Sequence, residues 1–89
     1  MVPCKLPNGM ALIFEPADKK IRLAIIDGGN VLACRKELVS NLRKFNSCIQ
    51  GQLFKGRLQL YKSDNLITII LKGIPVGDIS TDVFARACN

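Results

Sequence analysis

The chain has 89 residues, of which 48% are apolar, and its 13 basic and seven acidic residues give a net charge of +6. A chain of this length forms one hydrophobic core, and its aliphatic content excludes an intrinsically disordered protein. We therefore predict a single compact domain over residues 1–89.

The sequence also indicates where the protein is located. No segment reaches the roughly 18 consecutive apolar residues that span a membrane. Met10–Phe14 is too short for the apolar stretch of a secretory signal. We expect a cytoplasmic protein with no membrane partner.

The first third of the chain predicts three strands. Met10–Glu15 alternates weakly before Pro16, and Ile21–Asp27 has the two-residue period of a strand. Gly28 and Gly29 then precede a third apolar segment. Two adjacent glycines tolerate the positive φ angles of a tight turn, so this segment predicts a hairpin.

After this hairpin the apolar period changes to that of a helix. Apolar residues three or four positions apart would form one stripe along the side of a helix: Leu38, Leu42, Phe45 and Ile49. The stripe predicts a helix from about Lys36 to Cys48.

Two further strands follow, at Leu53–Lys62 and Leu66–Lys72, with a second hairpin turn between them. Gly73–Gly77 contains Pro75, which cannot donate to a strand ladder, and predicts a break in regular structure. Polar residues from Asp78 onward predict a short C-terminal helix.

The predicted fold is therefore α+β. It has one antiparallel sheet of about five strands in the order βββαββα, one main helix and a short C-terminal helix. No internal repeat or linker is visible in the sequence.

The residues offer no apparatus for catalysis. The absence of histidine excludes Ser-His-Asp and Cys-His mechanisms and imidazole metal ligands. Asp78 and Asp82 are four residues apart, so a helix would place both carboxylates on one side. At the start of that helix they would stabilise it, because negative charge interacts favourably with the positive end of the helix dipole. We expect a non-enzymatic protein with no cofactor and no metal site.

The four cysteines lack the close spacing of zinc knuckles and redox dithiols. They lie far apart in the sequence: Cys4, Cys34, Cys48 and Cys88. We expect free thiols, with Cys34 and Cys48 buried as small apolar residues.

The positive charge is concentrated between Arg35 and Lys72, which hold eight basic and two acidic residues. These cations and one aromatic ring predict a nucleic-acid surface, since cations contact phosphates and the ring can stack on an unpaired base. The predicted contact residues lie on the helix and the second hairpin: Arg43, Lys44, Lys55, Arg57, Tyr61, Lys62 and Lys72. Six phosphate contacts on duplex would give a log–log salt slope of roughly −5.

Two other interpretations remain open. A basic strand face is also an ordinary solvated face, and edge lysines discourage aggregation. Leu66–Leu71 is apolar on both sides of a strand, which expects cover on both sides. This excess of apolar residues predicts either a homodimer or a module that docks an acidic protein partner. In the second case the cations would guide the partner electrostatically.

Overall fold

The computed structural model describes residues 3–88, which fold into eight strands, two α-helices and one 3-10 turn. The first half contains β1 (Cys4–Lys5), the 3-10 turn (Pro7–Gly9), β2 (Met10–Ala17), β3 (Lys20–Asp27), β4 (Asn30–Leu38) and α1 (Val39–Ser47). The second half contains β5 (Gln50–Leu53), β6 (Leu58–Ser63), β7 (Leu66–Leu71), β8 (Ile74–Ser80) and α2 (Thr81–Ala87).

The strands form two antiparallel sheets of four strands each. The first sheet has the order β1-β2-β3-β4 and the second has the order β5-β6-β7-β8. The α+β class is confirmed, whereas the prediction of one sheet of about five strands is wrong. No described helix has the length and apolar character that crossing a bilayer requires.

The predicted strand Leu53–Lys62 is split because its backbone turns. Phe54 has a φ of 69° and Gly56 has a φ of 93°. Both values fall in the left-handed region, which interrupts a pleated strand. Residues up to Leu53 therefore form β5, and β6 begins at Leu58.

The predicted break at Gly73–Gly77 is a strand instead. Pro75 lies in β8, an edge strand, next to an irregularity where Ile70 pairs with Pro75 and Ile69 with Gly77. Edges and bulges are the positions in a sheet that accept proline, because no ladder donor is needed there.

The main helix is shorter than the sequence predicts. β4 continues to Leu38, whose φ of −60° and ψ of 140° are extended, so α1 begins at Val39. The two predicted hairpin turns are confirmed, with positive φ at Gly28 and Asp64. The C-terminal helix is confirmed as well, and the hydroxyl of Ser80 caps it by accepting a hydrogen bond from the Val83 N–H.

One hydrophobic core joins the inner faces of both sheets to both helices. The Phe84 ring on α2 lies edge-on to Phe14 of the first sheet at 5.6 Å and to Phe45 of α1 at 5.9 Å between centroids. Leu42 and Phe84 are both fully buried. Neither half therefore has a core of its own.

The two halves have the same plan, which the sequence does not reveal. Each contains a four-stranded antiparallel meander that runs directly into a helix. Residues 6–9 and 54–57 each connect the first two strands of their half. The last two strands of each half lose register at matching places, between Ile25 and Ile26 and between Ile69 and Ile70.

The halves also meet along β8. A Cβ atom at Gly77 would lie 2.8 Å from Cδ2 of Leu6, a distance that real Cβ atoms do not show. The missing side chain therefore lets the connection after β1 pack directly against the second sheet.

Candidate nucleic-acid interface

The outer face of the second sheet carries polar side chains that stay exposed or half-buried. They alternate along each strand with the buried core residues. The register places the side chains of this face in rows across the sheet: Gln52, Tyr61, Thr68 and Asp78 in one, and Gln59 beside the apolar Ile70 in the next. We call this surface the outer face of the second sheet.

Tyr61 presents its ring on this face. It is 41% exposed, and its hydroxyl donates to Oε1 of Gln59 at 3.0 Å. Nearby, the Thr68 hydroxyl donates to Oδ1 of Asp78 at 2.8 Å. The hydroxyl of Tyr61 is therefore held, and its ring remains available for stacking.

Residues 54–57 connect β5 to β6, and we call them the basic loop. Every carbonyl oxygen of this loop accepts a hydrogen bond. The donors are Gln52 Nε2 to Phe54 at 3.1 Å, Arg35 Nη1 to Lys55 at 3.1 Å, Gln59 Nε2 to Gly56 at 3.0 Å and Lys72 N to Arg57 at 2.7 Å. The loop is thus fixed by three side chains and one backbone group, and its carbonyl dipoles are satisfied.

Arg35 supports the loop from the neighbouring sheet. Its guanidinium carbon lies 5.4 Å from the centroid of the Phe54 ring. This is a cation–π geometry. Phe54 has a positive φ, which is unusual for a bulky residue and needs such support from its surroundings. The sequence prediction missed Arg35 because it assigned the residue to the approach of the helix rather than to β4.

Four cations converge at this end of the second sheet, and we call them the basic end. They are Arg35, Lys55, Arg57 and Lys72, all exposed. Arg57 and Lys72 are linked through the backbone bond described above. Within residues 3–88 the only ion pair joins Arg22 and Glu15, so none of these four cations is in an ion pair with a described carboxylate.

The other predicted contact residues lie elsewhere. Lys62 points inward and is buried, and its ammonium donates to the carbonyl oxygens of Cys48 and of Asp64. Arg43 lines a cleft between the helices with Phe84 and Cys88. Lys44 is exposed on the last turn of α1. The structure therefore gathers Lys55, Arg57 and Lys72 but leaves these three apart.

Tyr61 lies along the same chain segment as Arg57, on the outer face. The two positions are four residues apart, and β6 begins directly after Arg57. In extended chain this separation corresponds to about 13 Å, from roughly 3.3 Å per residue. The surface therefore combines a cluster of cations at one end with an aromatic ring farther along the strand.

The acidic and sulfur-containing residues are arranged differently from the prediction. Asp78 lies in β8 and Asp82 in α2, so no helix brings their carboxylates to one side. Cys34 and Cys48 are exposed rather than buried, because Cys34 is on the outer side of an edge strand and Cys48 follows the end of α1. In the described part of the chain, no three metal-ligating side chains come together.

The thiols of the two buried cysteines, Cys4 and Cys88, have raised pKa values. Burial raises the pKa of Cys88 to about 11, although nearby Arg43 acts in the opposite direction. Burial also raises the pKa of Cys4. Both thiols therefore remain protonated and unreactive at neutral pH.

Comparisons with protein-family models, with curated proteins and with solved structures find no match to this chain.

Proposed function

We propose that this protein binds nucleic acid, without catalysing a reaction, through the basic end and the outer face of the second sheet. The observation that carries the proposal is the basic loop. With all of its carbonyl oxygens already bonded, the loop presents Lys55 and Arg57 beside Arg35 and Lys72, and no described carboxylate pairs with them. Cations carried on a fixed backbone and in no ion pair are suited to phosphate, since binding releases the counterions of the polyanion.

The outer face favours unpaired bases over a closed duplex. The ring of Tyr61 is exposed on a flat sheet face, and stacking on it requires a base whose face is free. The amides of Gln52 and Gln59 flank it in the adjacent positions of the sheet. The strand would thus place phosphates at the basic end and a base near Tyr61.

The proposal places the protein in the cytoplasm, where its four cysteines stay reduced. It includes a homodimer through a surface away from the outer face of the second sheet, because β5 is an unpaired edge strand and Ile49 beside it is 75% exposed. Light scattering after gel filtration tests the dimer, and a monomer at all concentrations would contradict it.

Fluorescence titration with labelled single-stranded and duplex oligonucleotides, of both DNA and RNA, tests nucleic-acid binding. Four phosphate contacts give a log–log salt slope of about −3 on single strands, from roughly −0.7 per contact. The double variant R57Q/K72Q is expected to make this slope shallower by about 1.4.

The helix provides a matched control, R43Q/K44Q, which removes the same charge away from the basic end. This variant is expected to bind like the wild type. Equal losses in both variants, or wild-type binding that does not respond to salt, would contradict the proposal.

A second candidate is the docking of an acidic protein partner on the same surface. Two exposed apolar side chains favour it, since Val31 (52% exposed) lines a cleft with Arg57, and Ile74 (64% exposed) begins the strand after Lys72. An apolar centre with a charged rim is typical of protein interfaces. Retention of a partner on the immobilised protein after nuclease treatment would favour this candidate, and loss of all retained material would favour nucleic acid.

A further inference from the structure

We propose that the bound strand does not end at the basic end but crosses the edge of the first sheet to Lys36 and Lys20. This inference rests on the proposed function and enlarges the site to six cations, which we call the cationic track. Its members are Lys20, Lys36, Arg35, Lys55, Arg57 and Lys72.

An open cleft at one end of the first sheet provides the added part of the track. It has a volume of about 960 Å³ and lies between the turn after β2 and the end of β4. Three of its six lining residues are lysines, and the full set is Ala17, Asp18, Lys19, Lys20, Lys36 and Leu38. The three lysines outnumber the one carboxylate, Asp18, and a concave surface with a net positive charge attracts a polyanion.

The edge strand β4 makes the cleft continuous with the basic end. Arg35 pairs with Leu23, whose side chain enters the core, whereas Lys36 pairs with Arg22 on the outer side. Adjacent residues of a strand point to opposite faces of the sheet. At an edge strand such as β4, the side chains of both faces lie along the same exposed edge, which we call the rim. Arg35 reaches Lys55 on one side of this rim, and Lys36 enters the cleft on the other.

A second, smaller cleft follows the same rim. It has a volume of about 380 Å³ and lies between β4 and the start of β6, with Arg35 and Arg57 among its lining residues. An extended polyanion along this rim therefore meets a cation on each side of the boundary between the sheets.

The carboxylates near the track are already engaged, apart from Asp18 in the turn. Glu15 pairs with Arg22. Glu37 accepts hydrogen bonds from Asn41 Nδ2 and from the Leu38 N–H, both at 2.9 Å. These two bonds lower the pKa of Glu37, and the nearby charges of Lys20 and Arg35 add to the effect.

The track predicts a dependence on the length of the ligand, which binding at the basic end alone does not. Labelled single strands of about 4 and about 16 nucleotides bracket the site sizes of small single-strand binding domains. With the longer strand, K20Q/K36Q is expected to lower affinity and to make the salt slope shallower by about 1.4. With the shorter strand, which the basic end accommodates, the same variant is expected to bind like the wild type.

Two comparison variants separate the possible failures. R57Q/K72Q is expected to weaken binding of both strands, and R43Q/K44Q of neither, with thermal unfolding confirming that each variant is folded. If the wild type binds neither strand, the proposed function fails. If the wild type binds but K20Q/K36Q leaves the longer strand unaffected, or weakens both strands equally, the track is wrong while the proposed function stands.

Discussion

The two halves of the molecule share a backbone plan but differ in the side chains placed on it. The connection after the first strand holds Lys55 and Arg57 in the second half, where the first half has Pro7 and Gly9. The two-residue turn before the last strand begins with Lys72 in one half and Gly28 in the other, and both have positive φ. The basic end is therefore a property of a few side chains rather than of the repeated architecture.

The outer faces of the sheets differ in the same way. The first sheet has Ile13 and Ala24 where the second has Tyr61 and Thr68 at the centre of its face. A polar face with an aromatic ring is suited to bases, and an apolar face is not. Similar backbones thus support different surfaces, and substitutions at equivalent positions measure how far the halves have diverged.

The largest expected effect is a loss of unfolding free energy when a residue of the shared hydrophobic core is truncated. Leu42 and Phe84 are each the fourth residue of their helix, and both have 0% exposure. Phe84→Ala is expected to cost about 3–5 kcal/mol of unfolding free energy and Leu42→Ala about 2–5 kcal/mol. Because the core is common, urea unfolding followed by circular dichroism and by Tyr61 fluorescence should give one coincident transition in each variant. Two separated transitions would show that the halves fold independently.

A smaller effect is expected at a position where the halves differ in chemistry. Lys62 is the fifth residue of β6, and its counterpart in β2 is Phe14, which is buried against the Phe84 ring. Lys62→Met leaves two carbonyl oxygens without their donor, so stability should fall by about 1–3 kcal/mol. Affinity for a single strand should stay unchanged, because the ammonium does not reach the surface. A Lys62→Met variant with normal stability and weakened binding would instead show that Lys62 contacts the nucleic acid.

The N-cap residues of the two helices provide a further test, with an expected change in unfolding free energy of about 1 kcal/mol. Ser80 caps α2 through its side chain, whereas Leu38 occupies the same position before α1 and provides no such bond. Ser80→Ala should lower the unfolding free energy by about 1 kcal/mol, and Leu38→Ser should recover part of that amount in the other helix. Denaturation of both single variants and the double variant measures the two effects, which should add. A destabilising Leu38→Ser would contradict the comparison.

The smallest effect is confined to alkaline pH. The pKa of the Cys88 thiol is raised to about 11 in the folded protein, so the folded state keeps a proton that the unfolded chain loses near its ordinary value of 9. The stability due to this thiol is complete below pH 9 and is lost as the pH rises from 9 to about 11. Thermal unfolding between pH 8 and pH 11 should decline less steeply in Cys88→Ala. The same slope in both proteins would exclude this contribution.

The sequence was informative where local pattern determines structure. The Gly28–Gly29 turn, the alternation of Ile21–Asp27 and the polar start of α2 all have local causes, and all were predicted. β8 was missed because Pro75 normally interrupts a strand, and only its place at a sheet edge makes it acceptable. The break between β5 and β6 depends on the positive φ at Phe54, which no residue-type preference predicts.

The candidate site was predictable in part for the same reason. The alternation along the second hairpin placed Arg57 and Tyr61 on one face. Lys62 was predicted as a contact residue as well, although the same alternation assigns it to the opposite face, and the tertiary contacts show that this face is buried. Arg35 and Lys36 were not included in the predicted site because their neighbours in space belong to other strands, a relation that spacing along the chain does not contain.

The contact between Phe14 and Phe84 has a consequence for the making of the protein. The two rings lie far apart in the sequence yet touch in the core, so the first meander cannot cover its apolar side until α2 has been synthesised. Contacts of such long sequence separation slow folding and leave apolar surface exposed meanwhile. On the ribosome, the first half would therefore stay incompletely folded, with its apolar side exposed, until the last helix has emerged.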